Sequence, residues 1–288
     1  MNWLLETLSL PAGLLISFCV TYAIREKLLR MITAAGFVRP NYRGEAIPLG
    51  AGIIFFVSAL ITVTLLIVFW PQNLRSLALV FLFSIGGATC LGLIDDFWGT
   101  RDATGLLGHF KALLSGRLTT GAVKAIGGGL IAIIVAVQLY PGNWLRIIDS
   151  SLIIALSINL VNLFDLRPGR AGKIFILACI VIMPPALGRP EAVMAAIILG
   201  SVLAYLGADL KARAMMGDAG SNTLGMVVGV TAAAVLDGYF RILYLAVLVL
   251  IHIITERYSL TSIISGNVFL NYLDMLGREK DSGNRCRN

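Results

Sequence analysis

Stretches of about 17 to 25 predominantly apolar residues, the length a helix needs to cross the hydrocarbon of a bilayer, recur along this chain from end to end. Nine are readable, at 8–24, 47–70, 76–94, 123–140, 147–164, 173–187, 191–207, 221–236 and 241–255. In hydrocarbon every backbone N–H and C=O must bond within its own segment, so each run predicts a helix. A tenth stretch, 258–276, carries Asn267, Asn271 and Asp274 and reads as an interfacial or partly inserted segment. No polar stretch long enough for a soluble domain separates the runs. The expectation is an all-α, polytopic transmembrane helix bundle of 9 to 10 helices, with residues 1–288 forming a single membrane-embedded domain.

Composition agrees with the pattern. Hydrophobic residues make up 58% of the 288 and charged ones only 14%, with a mean hydropathy of +0.87; a soluble domain carries roughly 25% charged residues. Lys and Arg then orient the bundle. One side collects fifteen, from Arg25 through Arg43, Arg101 to Lys124, Arg167 to Lys173, Lys211, Arg213 and Arg257, and the other only Arg75, Arg146, Arg189 and Arg241. The positive-inside rule puts the first side in the cytoplasm and the N-terminus outside. The net charge of +7 and pI of about 9.4 are therefore topological signals, and no basic stripe with interleaved aromatics points to nucleic acid. Run 8–24 follows Glu6 and lacks a small-residue cleavage site, so it reads as a retained span. Cys19, Cys90, Cys179 and Cys286 have no metal-ligand spacing.

The topology sorts the acids. Asp95, Asp96, Asp102, Asp165, Asp209 and Asp218 all fall on the cytoplasmic side, at or near the ends of apolar runs. Adjacent carboxylates such as Asp95-Asp96 repel each other, and a divalent cation with oxygen ligands relieves that; a solvated helix end is the plainer alternative. Asn159, Asn162 and Asp165 recur every three residues, which spreads them over about 120 degrees of one helix face. They suit one ligand, or hydrogen bonding between helices. Met216-Gly217-Asp218-Ala219-Gly220-Ser221 precedes the eighth run; its glycines let a phosphate or metal approach the backbone, or else Asp218 or Ser221 simply caps the helix. Arg167, Arg170 and Lys173 follow Asp165, and Arg101, Lys111 and Arg117 follow the Asp pair, so one surface offers metal ligands and phosphate donors together.

These segments resemble, in order, motifs of the polyprenyl-phosphate N-acetylhexosamine-1-phosphate transferase superfamily, glycosyltransferase family 4. Arg43-Gly44-Glu45-Ala46-Ile47-Pro48-Leu49-Gly50-Ala51-Gly52 resembles the approach to that family's second helix, and Asp95-Asp96 its aspartate pair. The stretch from Asn159 to Asp165 resembles its Asn and Asp motif, and Gly217-Asp218-Ala219-Gly220-Ser221 its Gly-Asp-x-Gly-Ser motif. The resemblance implies Mg2+-dependent (or Mn2+-dependent) transfer of a sugar 1-phosphate, of N-acetylhexosamine or N-acetylmuramoyl type, from a UDP-sugar to polyprenyl (undecaprenyl) phosphate. UMP is released, in cell-envelope glycan synthesis at the cytoplasmic face of the bacterial cell membrane.

The roles implied are Asp218 with Asp165 as metal ligands, and Asp95 or Asp96 as base or positioning group for the lipid phosphate. Asn159 and Asn162 orient the nucleotide or metal shell, while Lys111, Arg167, Arg170 and Lys173 contact phosphates. Besides the two substrates and membrane lipid, a homodimer is an open expectation.

Two departures mark a divergent, short member. Pro168 stands where the family has a second acid after Asp165, and only His109 and His252 exist, with no histidine-rich loop. Two rivals follow: a member without catalysis that binds lipid or acts as a scaffold, and a secondary transporter. The latter draws on the Pro184-Pro185 pair inside the sixth run.

Overall fold

A computed structural model describes residues 2–99, 112 and 115–279. Lys111, Arg101, Asp102 and His109 lie outside the described residues. Among those described, the chain forms eleven α-helices and one small hairpin. The helices are α1 (Asn2–Ala34), α2 (Ile53–Leu66), α3 (Gln72–Trp98), α4 (Thr120–Leu139), α5 (Trp144–Phe164), α6 (Arg170–Ala186), α7 (Pro190–Leu210), α8 (Gly217–Val235), α9 (Gly238–Arg257), α10 (Leu260–Gly266) and α11 (Val268–Met275).

The first nine fall on the nine apolar runs. Six of them, α1, α3, α4, α5, α7 and α9, are long and apolar enough to cross a membrane. Run 47–70 begins as something else: Ala46–Pro48 is β2, paired antiparallel with β1 (Val38–Pro40) in the register Arg39↔Ile47. The helix starts only at Ile53, and its 14 residues, about 21 Å at 1.5 Å per residue, fall short of a bilayer. The hairpin was not expected. Its turn is closed by Asn41, whose Oδ1 accepts from the N–H groups of Arg43 and Glu45, with Gly44 at φ +80°.

Stretch 258–276 is not a spanning helix. It breaks at Asn267, whose side chain accepts from Leu270 N and starts α11, so two helices of seven and eight residues replace one. Buried Asp274 then docks α11 onto the start of α6. Arg170 donates to it from Nε at 2.8 Å and Nη2 at 2.9 Å, and Arg278 Nη2 adds a third bond at 2.7 Å. Lys173 Nζ caps the same helix end through the carbonyls of Leu273 and Asp274.

The core is built around α8, buried over almost its whole length from Ala219 to Val235. It packs against α3 and α5 and also touches α2, α4, α6 and α7. A helix apolar on every side is what a central position requires. In lipid no hydrophobic drive favours helix–helix contact, so small polar groups join the bundle. Thr21 bonds to Ser58 and Ser201, linking α1, α2 and α7, and Thr89 meets Thr223 at 2.6 Å between α3 and α8. Large apolar side chains such as Leu145, Val181 and Ile242 face outward, as suits an integral membrane protein. Helix α6 continues through Pro184 and Pro185, which sit in its last turn and mark its end rather than a break at mid-bilayer.

Peripheral α9 buries only Arg241 and Leu248, and the arginine holds it in place. Its guanidinium grips Asp149 of α5 with two bonds, Nε to Oδ2 at 2.9 Å and Nη2 to Oδ1 at 2.6 Å, and also donates to the carbonyls of Ala233 and Leu236. Removing one partner strands the other, so Arg241→Met is expected to destabilise the fold by about 2–4 kcal/mol. The measurement is the apparent melting temperature in detergent. An unchanged temperature would show the pair to be incidental.

Candidate active site

The site forms at one end of the bundle, where α3 and α5 finish and α4 and α8 begin. It rests on a backbone scaffold. The segment after β2 runs beside the turn before α8: Met215 N donates to Pro48 O at 2.8 Å, and Ala51 and Gly52 return bonds to Met215 O and Met216 O at 3.0 Å each. A Cβ on Gly52 would lie 2.1 Å from Gly220 Cα, and one on Gly92 of α3 would lie 2.3 Å from the backbone of Asp218. Those two glycines let three backbones touch.

Asp96 then fixes the start of α8. Its Oδ1 accepts from Asp218 N at 2.9 Å and its Oδ2 from Ala219 N at 3.0 Å, so a carboxylate from α3 caps a different helix. This satisfies two of the N–H groups a helix start leaves open, with charge of the sign its dipole favours. Arg39 of β1 donates to the Asp96 carbonyl at 3.0 Å, and Phe37 packs on Phe97 with ring centroids 4.3 Å apart. Asp96 is therefore a cap. The alternative that Asp218 or Ser221 caps α8 gives way as well: no side chain of its own caps that helix.

With the cap supplied from outside, Asp218 turns into the cluster. Lys124, in the first turns of α4, donates from Nζ to Asp95 Oδ2 at 2.9 Å and also to Asp218 Oδ2. Asn162 completes the group. With its amide nitrogen facing the carboxylate, it donates to Asp218 Oδ1 and to Ser221 Oγ, each at 3.0 Å, and its oxygen accepts from Lys124 Nζ at 3.2 Å. Asp165 ends α5 one turn further along. Burial holds its carboxyl well above the usual carboxylate range, and the charges of Asp209, Asp218 and Asp96 push it the same way.

Of the sequence candidates, the structure thus brings together Asp95, Asn162 and Asp218, with Asp165 beside them. Asn159 lies half-buried on α5 one turn before Asn162, and Arg167 is exposed in the turn after it. Arg170 and Lys173 are engaged elsewhere. Their cationic groups dock α11, and the tertiary partner Asp274 lies about a hundred residues away, so local spacing gave no sign of it.

Lys124 is the residue that sequence reasoning missed, having entered only as a topological charge. The available signal was a cation at the second position of an apolar run, where an ionisable group is functional by default. Asp209 was noted without a role. It is buried at the end of α7, and its Oδ2 has no hydrogen-bond partner among the described residues.

The donor set is compatible with a hard cation. Carboxylate oxygens of Asp95 and Asp218 and an amide oxygen of Asn162 converge on one positive group, the Lys124 amine. Mg2+ commonly binds through one or two carboxylates plus substrate phosphates. Among the described residues, no three of His, Cys, Asp and Glu are assembled as a preformed metal cage.

The arrangement is a membrane-embedded helix bundle with a mixed-charge site at one end, and its sequence places it in a family. The profile of glycosyl transferase family 4 matches residues 78–236, more than half of the chain, and this span contains every side chain of the cluster. The chain is 31% identical over 223 residues to the phospho-N-acetylmuramoyl-pentapeptide-transferase of Chlamydia muridarum, covering 69% of this chain and 64% of that protein. It is 29% identical over 236 residues to the protein of the same name from Thermotoga maritima, covering 77% and 74%, and 28% identical over 238 to that of Thermotoga neapolitana, covering 79% and 75%. The chain belongs to glycosyl transferase family 4.

The capping role separates the two adjacent aspartates. Asp96→Asn replaces an acceptor oxygen with a donor facing a backbone N–H and is expected to cost about 1–3 kcal/mol of stability. Asp95→Asn, which keeps a side-chain oxygen beside Lys124 while Asp218 keeps that amine paired, should cost less. Thermal melts of the two variants side by side check this, and equal losses would contradict it.

Proposed function

We propose that this protein transfers a sugar 1-phosphate from a UDP-sugar of N-acetylhexosamine or N-acetylmuramoyl type to polyprenyl phosphate, releasing UMP. The observation that carries the reading is the convergence of Asp95, Asn162, Asp218 and Lys124 at one end of an apolar bundle, within the segment that matches the family. The three relatives quoted above are named for transfer of a phospho-sugar peptide, which supports the same class of chemistry. In this reading the bundle sits in the bacterial cell membrane, with α1, α3, α4, α5, α7 and α9 long enough to cross it, the site on the cytoplasmic side and the N-terminus outside.

A polyprenyl-phosphate oxygen forms a bond to the sugar-bearing phosphorus, and the bond from that phosphorus to the bridging oxygen breaks, so UMP leaves. Such a transfer depends mainly on positioning and on neutralising phosphate oxygens. Lys124 supplies a cation at the centre of the cluster. Asp95, beside it, orients the incoming lipid phosphate. Asp218, with Asp165 nearby, would hold Mg2+ or Mn2+, which lowers the charge on the diphosphate. Asn162 orients Asp218 through its amide, and Asn159 lies on the same helix one turn away. Arg167, exposed at the rim, meets the nucleotide phosphates.

A transporter fits less well. Its polar sites tend to sit near the midplane, whereas these acids cap and terminate helices.

Purified protein given polyprenyl phosphate, Mg2+ and a panel of UDP-sugars is expected to release UMP with at least one donor. Asp218→Asn and Lys124→Met are each expected to lower the rate by about 100-fold or more, the usual effect of losing a group that stabilises transition-state charge. Absence of UMP with every donor, or full activity in both variants, would overturn the reading.

A pH effect follows from Asp165. Its carboxyl is held protonated above the usual range, and a cation must displace that proton to bind. Mn2+ affinity, followed by electron paramagnetic resonance, should therefore tighten as pH rises, and Asp165→Asn should flatten the dependence. Affinity independent of pH in the parent protein would count against Asp165 as a ligand.

A further inference from the structure

A second charged site lies outside the acid cluster. The last turns of α1, the end of α7 and Pro48 enclose an open recess of about 500 Å³. Arg25, Arg30, Lys211 and Arg213 line it, against a single carboxylate, Glu26. Leu29, Pro48, Gly207 and Ala208 form its apolar walls. None of Asp95, Lys124, Asn162 or Asp218 lines it.

The cations come from two distant parts of the chain, and the Arg25 side chain and the backbone turn that carries Lys211 and Arg213 are held in position. Arg25 Nη1 donates to Ala204 O at 2.8 Å, which pins α1 to α7, and its Nε reaches Glu26 at 3.1 Å. Lys211 and Arg213 flank Ala212, a non-glycine residue at φ +51°. That turn is fastened by Ala212 N to Asp209 O at 2.8 Å, Arg213 N to Ala208 O at 3.0 Å and Asn41 Nδ2 to Ala212 O at 3.2 Å.

A cation at the end of α7 alone would be explained by the helix dipole, which favours positive charge there. Arg25 and Arg30 come from α1, and the positive-inside bias and the end of that helix account for their side of the membrane but not for four cations lining one recess. Excess positive charge around a recess of ligand size is a binding arrangement for an anion with several oxygens, and Arg suits phosphate through its planar fork. Arg25 also lies over the ring of exposed Tyr22, with its guanidinium carbon 5.5 Å from the centroid, one turn back along α1. Tyr paired with Arg at the end of the apolar run 8–24 marks the depth of lipid headgroups.

We propose that this recess binds a phosphate-bearing anion at the membrane surface, separately from the substrates of the acid cluster. The same chemistry is offered by a phospholipid headgroup and by soluble phosphate. Pro48, in its wall, bonds to Met215, so a bound anion would sit directly behind the turn that carries Asp218.

The test uses the full chain in phosphatidylcholine nanodiscs, without nucleotide, titrated in separate arms with short-chain phosphatidic acid and with inorganic phosphate. The pocket variant is Arg30→Gln with Arg213→Gln, both exposed positions that should tolerate the change. The charge-matched control is Lys27→Gln with Arg257→Gln, also exposed and outside the recess.

The parent protein is expected to bind at least one probe, the pocket variant to bind it about tenfold more weakly or worse, and the control to stay within about twofold. Binding of phosphatidic acid alone identifies a lipid headgroup, and comparable binding of inorganic phosphate identifies a soluble ligand. Equal binding by parent and pocket variant, equal losses in both double variants, or no binding of either probe would overturn the proposal. Because no UMP is measured, failure here leaves the transferase reading standing, and the reverse holds too.

Discussion

The two hydrogen bonds from the first turn of α8 to Asp96 are the constraint on which the rest of the site depends. α8 is buried on every side, so the open N–H groups at its start cannot be left to lipid, and burying them unpaired would be costly. A carboxylate from α3 solves this only if α3 and the turn before α8 nearly touch. Gly92 and Gly52 allow that approach, and Gly217, at φ +65°, lets the chain reverse where a Cβ would collide with the Asp96 carboxylate. Once Asp96 caps the helix, the neighbouring acids are released from structural duty. Asp95, next along the chain, faces Lys124, and Asp218, the residue whose N–H is capped, points its side chain at the same amine.

Among the described residues, three ion-paired groups with buried or part-buried members join elements that greasy surfaces alone would not hold in register. Arg241 and Asp149 tie α9 to α5 at one end. At the other, Arg170 and Arg278 share Asp274 and hold α11 under the start of α6. The third group is the cluster around Lys124, where two carboxylates meet one amine. In a low-dielectric setting such attractions are strong, and so is the penalty for leaving any member unpaired.

Much of the fold was legible in the chain. Apolar runs located nine helices, because a backbone in hydrocarbon has few alternatives to the helix. Where the approximation failed, a local competitor won. At 47–70, the segment Ile47 to Gly52 bonds to β1 and to the turn before α8 instead of joining the helix. Stretch 258–276, read from the chain as interfacial or partly inserted, is two short helices because Asn267 starts a new one and Asp274 is drawn to arginines more than a hundred positions away in one case and four in the other. The acids and Asn162 stood out because polar groups at the ends of apolar runs are expensive, while Lys124 was hidden among the cations that orient the bundle.

Composition and run length by themselves determined that this is a helical membrane protein, which end carries the charge, and which carboxylates are candidates for chemistry, since transfer free energies act residue by residue. Only the tertiary structure decided that Asp96 is a cap while Asp95 faces the site, that Lys124 joins Asp95 to Asp218, and that Arg170 and Lys173 serve α11. Adjacent residues of one type look alike along a chain, but hydrogen bonds are directional and short, so their roles are set by whichever backbone or side chain folding brings within about 3 Å.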